Sequence, residues 1–128
     1  MRKVILSTLM VLLSGCSEQG KYDGSYTCDV SQAANDYPSI TNSKYAFPKT
    51  LTKADVIIKK NIMTIKGFIL EDYVSGELAE DKKDNLINVK DKVTVSMSSD
   101  RKSVFLLYEE GDIPVIQTLT SCELKKLD

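Results

Sequence analysis

Short segments in which apolar and polar residues alternate are the feature that most restricts the fold of this chain. In residues 24–30 the side chains of Tyr26, Cys28 and Val30 fall on one face and polar side chains fall on the other. Residues 93–97 alternate in the same way. A period of two is typical of a half-buried β-strand, whereas a helix would repeat every three to four residues.

The remaining strands are predicted from similar segments separated by turn-forming residues. Residues 54–66 read as a hairpin that turns at Lys60-Asn61, since Asn tolerates the positive φ of a tight turn. Gly67 is expected to mark a bulge before residues 68–70, and the acidic stretch 71–85 is expected to be a loop. Further strands are expected at 86–89, 103–108 and 115–124. The fold class is therefore all-β, a small antiparallel meander of about seven to eight strands, closed as a barrel or folded as a sandwich.

The first 15 residues have the layout of a secretory signal. Two cations, Arg2 and Lys3, precede an apolar run over residues 4–13, and the small residues Ser14 and Gly15 follow it. The run is about ten residues long, whereas a transmembrane helix needs about 20. The single β domain is therefore expected to occupy residues 24–128.

The end of this run, Leu13-Ser14-Gly15-Cys16, resembles the lipobox of bacterial lipoproteins. The resemblance covers residues 2–16 and implies that Cys16 carries diacylglycerol and begins the mature chain, followed by a short tether over residues 16–23. Ser17 is similar to an outer-membrane sorting signal. Two or more acyl chains anchor a protein stably, so the resemblance implies a membrane-bound envelope protein without a transmembrane helix. The alternative is an ordinary signal with a chance Cys.

Composition excludes several classes of function. Without the first 15 of its 128 residues the chain keeps 113 residues, with 15 basic and 18 acidic side chains and a net charge of −3. This balance does not favour nucleic acid or anionic lipid headgroups as partners. The absence of His removes His-based catalytic triads and His-ligated zinc or haem, and no cofactor is expected.

Two cysteines remain if Cys16 carries lipid. In an exported domain, Cys28 and Cys122 are expected to form a disulfide, and the alternative is a pair of buried free thiols. Because Cys28 lies on the first predicted strand and Cys122 on the last, a bond would make these strands neighbours, as barrel closure requires. The acidic run at 77–84 does not match a calcium-loop pattern, and the run at 109–112 is more typical of a solvated hairpin tip than of a cation site, so no metal site is expected.

Aromatic residues concentrate early in the mature chain. Five of the nine Tyr and Phe residues lie between Tyr22 and Phe47. A helical turn is expected over residues 31–34 and a long loop over 39–52. Tyr37, Tyr45 and Phe47 are the candidate partner-binding residues, because Tyr is favoured at interfaces. The alternative is that these rings plug one end of the barrel.

A second resemblance comes from the Gly24-x-Tyr26-x-Cys28 pattern together with the late Ser121-Cys122. The pattern is similar to that of the small periplasmic inhibitors of c-type lysozyme, which are eight-stranded barrels with a comparable Cys pair. Their inhibitory Ser-Gly-x-x-Tyr loop is missing here, since Ala79 stands where that pattern has Tyr, so the resemblance implies the fold and carries no inhibitory residue.

These observations predict a non-enzymatic binding or inhibitory lipoprotein that faces the periplasm from the outer membrane and has a protein partner. The alternative is a structural or assembly lipoprotein of an envelope complex, including exclusion and immunity factors. An enzyme is disfavoured because the chain has no His and no pair of carboxyl groups with one in an apolar and the other in a polar setting.

Overall fold

A computed structural model describes residues 20–30 and 44–126 of the chain. The predicted signal, Cys16, the helical turn at 31–34 and Tyr37 lie outside the described residues. Nine antiparallel strands form one sheet in the described part. They are β1 (Gly24–Val30), β2 (Lys53–Lys59), β3 (Ile62–Lys66), β4 (Tyr73–Glu77), β5 (Ala79–Glu80), β6 (Leu86–Lys90), β7 (Val93–Met97), β8 (Val104–Glu110) and β9 (Ile113–Lys126).

The sheet curls into a nearly closed barrel, which confirms the predicted fold class. Its order is β4-β3-β2-β1-β9-β8-β7-β6-β5, so strands that are consecutive in sequence pair with each other, except β4 with β5, and β1 also pairs with β9. The two outermost strands, β4 and β5, are joined by the single residue Leu78, whose N–H donates to the carbonyl of Asn61 at 2.8 Å. Counted as one bent strand they give eight, the upper number expected from the sequence.

Alternation along the strands builds the core. Every second residue points inward and is buried, as in β1, where Tyr26, Cys28 and Val30 are at most 8 % exposed. The Lys60-Asn61 hairpin is confirmed, because both residues have positive φ, as a type I′ turn requires. The β6–β7 turn at Asp91-Lys92 has the same form.

Two local predictions are wrong. Gly67 does not mark a bulge within a strand, since β3 ends at Lys66 and the next strand begins at Tyr73. The stretch 71–85 is not one loop, because it contains β4 and β5. Its strand pattern is concealed because the inward residue Ser75 is polar: its hydroxyl accepts a hydrogen bond from Met63 N–H at 2.9 Å and donates one to Gly76 O.

The disulfide between Cys28 and Cys122 is confirmed and closes the barrel seam. It joins residues 94 apart in sequence, on the adjacent strands β1 and β9. Opposite Cys28 the register shifts, and Ser121 has a φ of 51°. This bulge places two residues of β9 against one of β1.

Candidate binding site

The two ends of the barrel differ. At one end, Asp23 fastens the start of the domain to the β2–β3 turn: its carboxylate accepts hydrogen bonds from the N–H groups of Gly20, Lys60 and Asn61 at 2.8 to 3.0 Å. Burial alone would raise the pKa of Asp23, but these hydrogen bonds outweigh it, so the pKa lies below its usual value. Part of the predicted tether, residues 20–23, is thus held against the barrel; we call this the tether end.

At the other end, β4 and β6 separate. Lower in the barrel the two strands are bridged by Asn88, whose side-chain oxygen accepts from Gly76 N–H at 2.9 Å and whose amide donates to Glu77 O at 3.1 Å. A Cβ on Gly76 would lie 2.9 Å from the Asn88 amide nitrogen, so a larger residue at this position would displace the Asn88 side chain. Beyond Asn88 no backbone pairing joins the described parts of β4 and β6.

An open cleft of about 880 Å³ lies where the strands separate, and we call it the end cleft. It is lined by Tyr73 and Val74 at the start of β4, by the β6–β7 turn, by residues 107–111 and Pro114 around the β8–β9 turn, and by Lys44-Tyr45. Its volume falls within the range of about 300 to 1,000 Å³ that is usual for ligand pockets.

The floor of the end cleft is a cluster of aromatic rings. The backbone carbonyl of Tyr45 accepts hydrogen bonds from the hydroxyl of Tyr108 at 3.2 Å and from the side-chain amide of Gln117 at 3.0 Å. The Tyr45 ring packs edge-on against the rings of Tyr73 and Tyr108, with centroids 5.3 and 5.5 Å away. The segment at 44–47 is therefore fastened across the barrel end.

This packing corrects the predicted partner-binding surface. Tyr45 is 8 % exposed and Phe47 is 1 % exposed, and Phe47 stacks on Phe68 at 4.2 Å between centroids. Both residues are therefore buried, and their rings plug the barrel end, which was the alternative. They are buried because their apolar area fills the open end of the sheet. Tyr37 lies outside the described residues.

Tyr73 is the residue that the sequence analysis missed. It is only 2 % exposed, and its hydroxyl has no hydrogen-bond partner within the described part of the chain. Burial, with a smaller contribution from Tyr45, raises its pKa to about 12. Burying an unsatisfied hydroxyl costs about 1 to 3 kcal/mol. An alternating Tyr-x-Ser signal was present at 73–75, but the acidic surroundings favoured a loop.

Charges around the end cleft are balanced. Three lysines and three carboxylates line it: Lys44, Lys90, Lys92, Asp91, Glu109 and Glu110. Lys44 also forms an exposed ion pair with Glu71 at 3.9 Å. A ligand that carries many charges of one sign would therefore gain little here.

The acidic run at 77–84 contributes Asp81, which stabilises the β5–β6 turn. The carboxylate of Asp81 accepts hydrogen bonds from the N–H of Lys83 and from both the N–H and the side-chain amide of Asn85, and it thereby closes the β5–β6 turn. These bonds, led by the one from Lys83, lower the pKa of Asp81. Within residues 20–30 and 44–126, no three Cys, Asp or Glu side chains converge as metal ligands would.

Comparison with protein-family models, curated proteins and solved structures finds no match for this chain. The resemblances to bacterial lipoproteins and to lysozyme inhibitors therefore stay predictions. Among the described residues, no helix has the length and apolar content needed to cross a bilayer.

Proposed function

We propose that this protein is a lipid-anchored envelope lipoprotein that binds or inhibits a protein partner through the end cleft and is not an enzyme. The observation that carries the proposal is the end cleft, where a buried tyrosine hydroxyl has no partner among the described residues beside an interrupted sheet. In this proposal Cys16 is acylated, no cofactor or nucleic acid is involved, and the protein faces the periplasm from the outer membrane.

The position of the tether end supports this arrangement. Gly20 is fixed to the barrel, and Cys16 precedes it by four residues, so the lipid lies within about 14 Å of Gly20 at about 3.5 Å per residue. β1 starts at Gly24, directly after Asp23, and runs away from the tether end over seven residues, or about 20 Å at 3.4 Å per residue. The anchored protein therefore presents its end cleft away from the membrane.

Exposed apolar side chains near the end cleft support a protein as the partner. Val74, Leu107 and Ile113 are 51, 42 and 49 % exposed. An apolar centre with a rim of mixed charge is typical of protein interfaces.

The anchor is tested by labelling cells with radioactive palmitate. Label should enter the wild type and not Cys16→Ala, and the variant should leave the outer-membrane fraction or accumulate as precursor. Equal labelling of both proteins would remove the lipid anchor from the proposal.

The binding face is tested with a matched pair of positions in intact cells. A photo-crosslinking amino acid replaces either Lys92, exposed at the rim of the end cleft, or Lys82, exposed in the β5–β6 turn at the tether end. The Lys92 position should give one dominant protein adduct that the Lys82 position does not give. Adducts at Lys82 alone, or the same adducts from both, would refute the end cleft as the binding face.

An assembly, exclusion or immunity lipoprotein is the second candidate, favoured by the outer face of β6–β9. There Val89, Leu107 and Ile116 form one cross-strand row with Thr94, and all three apolar residues are at least 42 % exposed. Adducts that form at Ile116 and not at Lys92 would support this candidate.

A further inference from the structure

We propose that the end cleft receives an extended segment of the partner's polypeptide, which pairs with the open edge of β4 and hydrogen-bonds to the hydroxyl of Tyr73. This inference rests on the proposed function and specifies the chemistry of its ligand.

The open edge of β4 is the first argument. The described part of β4 pairs with β3 alone, with Val74 opposite Thr64 and Tyr73 opposite Ile65. In an antiparallel pair, alternate residues direct their N–H and C=O groups away from the neighbouring strand. On an edge strand these groups form a template for another extended chain. The open edge of β4 begins beyond the Asn88 bridge and extends toward Tyr73.

The Asn88 bridge is the second argument, because it shows what the edge of β4 binds. The Asn88 side chain is a primary amide, with one carbonyl oxygen and one N–H₂ group, and it occupies the place of a peptide group beside Gly76 and Glu77. An incoming backbone would continue the same pairing toward Tyr73, using amide groups of the same chemistry.

Tyr73 supplies the third argument. Its side chain lines the end cleft, and its hydroxyl, which can donate one hydrogen bond and accept others, is buried without a partner among the described residues. A peptide carbonyl or N–H beside β4 would satisfy it. The free-energy penalty of burying this hydroxyl without a partner would then apply only to the unbound protein.

The surroundings specify the side chains of the segment. Val74 on β4 and Val89 on β6 flank the gap on its outer side, and they are 51 and 64 % exposed. Because successive side chains of a strand point to opposite faces, a segment with apolar residues at alternate positions would cover both valines. The balanced charges of the rim set no strong preference for an acidic or a basic segment.

The test uses the full chain in detergent and peptides selected on it from a phage-displayed random library. Each backbone amide of a selected peptide is then N-methylated in turn. Strand pairing predicts that methylation weakens binding at every second amide and leaves the intervening amides unaffected. Sensitivity without this alternation would refute strand pairing, and so would a selection that yields no peptide dependent on the end cleft.

A pair of variants tests the Tyr73 contact. Tyr73→Phe should weaken binding of the selected peptide about two- to tenfold, the effect of losing one hydrogen bond. The control Tyr26→Phe, a buried tyrosine of β1 away from the end cleft, should leave binding unchanged. Equal affinities for the wild type and Tyr73→Phe would overturn the contact.

If strand pairing fails while Lys92 still crosslinks a partner, the proposed function stands without this inference. Loss of the Lys92 adduct refutes the proposed function itself.

Discussion

Tyr73 and Tyr108 are two buried tyrosines of the end cleft whose hydroxyls differ in one respect. The hydroxyl of Tyr108 donates to the carbonyl of Tyr45, whereas that of Tyr73 has no partner among the described residues. Removing a satisfied hydroxyl costs a hydrogen bond, but removing an unsatisfied one relieves a desolvation penalty. The same substitution at the two positions should therefore have opposite effects.

We expect Tyr108→Phe to lower the free energy of unfolding by about 1 kcal/mol, which corresponds to a few degrees in melting temperature. Tyr73→Phe should leave the melting temperature unchanged or raise it. Thermal unfolding followed by circular dichroism compares the two variants with the wild type. A loss of stability in Tyr73→Phe equal to that in Tyr108→Phe would mean that the Tyr73 hydroxyl is satisfied within the protein.

The pKa of Tyr73 predicts a dependence on alkaline pH. The folded pKa of about 12 exceeds the ordinary value of 10.0, chiefly through burial. Below pH 10 the phenol is neutral in both states and its ionisation does not affect stability; as the pH rises from 10 toward 12 the unfolded state loses this proton first, so the folded state loses stability. Urea unfolding at pH 9, 10 and 11 should show a steeper decline for the wild type than for Tyr73→Phe. Parallel declines would argue against a buried phenol.

At the scale of elements, Asp23 attaches the tether end to the β2–β3 turn. Asp23→Ala removes the acceptor of three backbone N–H bonds, and we expect a loss of about 1 to 2 kcal/mol at neutral pH. Asp112→Ala, an exposed carboxylate in the β8–β9 turn, is the control and should have little effect.

The loss caused by Asp23→Ala should depend on acidic pH. Because the folded pKa of Asp23 is lowered, its contribution is present above its ordinary value of 3.8 and is lost as the pH falls through the folded pKa. Denaturant unfolding at pH 7 and at pH 2.5 measures the difference between variant and wild type. A difference that is equally large at both pH values would show that the carboxylate charge does not carry the attachment.

The β4–β5 region shows why one element escaped prediction. Its inward positions include Ser75, which is buried by hydrogen bonds to neighbouring backbone groups and not by apolar contact. Its exposed positions mix apolar Val74 and Ala79 with Glu77 and Glu80. Apolar periodicity, on which strand prediction relies, is absent from a strand of this composition. Its partner strand β3, by contrast, carries inward Met63 and Ile65 and was predicted.

At the scale of the whole molecule, the disulfide covalently closes the pairing of β1 with β9. It connects residues 94 apart, and in the loop-entropy model such a cross-link stabilises the fold by about 4 to 5 kcal/mol. We expect Cys28→Ala/Cys122→Ala to melt many degrees below the wild type. The bond is buried, with Cys28 0 % and Cys122 6 % exposed, so it should also resist reduction in the folded state. Melting temperatures with and without reductant, together with thiol alkylation, test both expectations. A double variant that melts with the wild type would show that pairing of β1 with β9 holds the seam alone.

The sequence by itself determined the properties that depend on residues close together along the chain. Alternation in β1 and β7, an Asn at the Lys60-Asn61 turn and the cysteines on the first and last strands predict an all-β antiparallel meander, closed as a barrel or folded as a sandwich, because each signal follows from local geometry or chemistry. Only the tertiary structure decided the site. Tyr45 and Phe47 are buried because β8 and β9, more than 55 residues away, bring Tyr108 and Gln117 to them. Tyr73 lies at a cleft because β4 and β6 separate beyond Asn88. This separation depends on how the first and last strands of the sheet come together in the folded barrel, and no short stretch of residues encodes it.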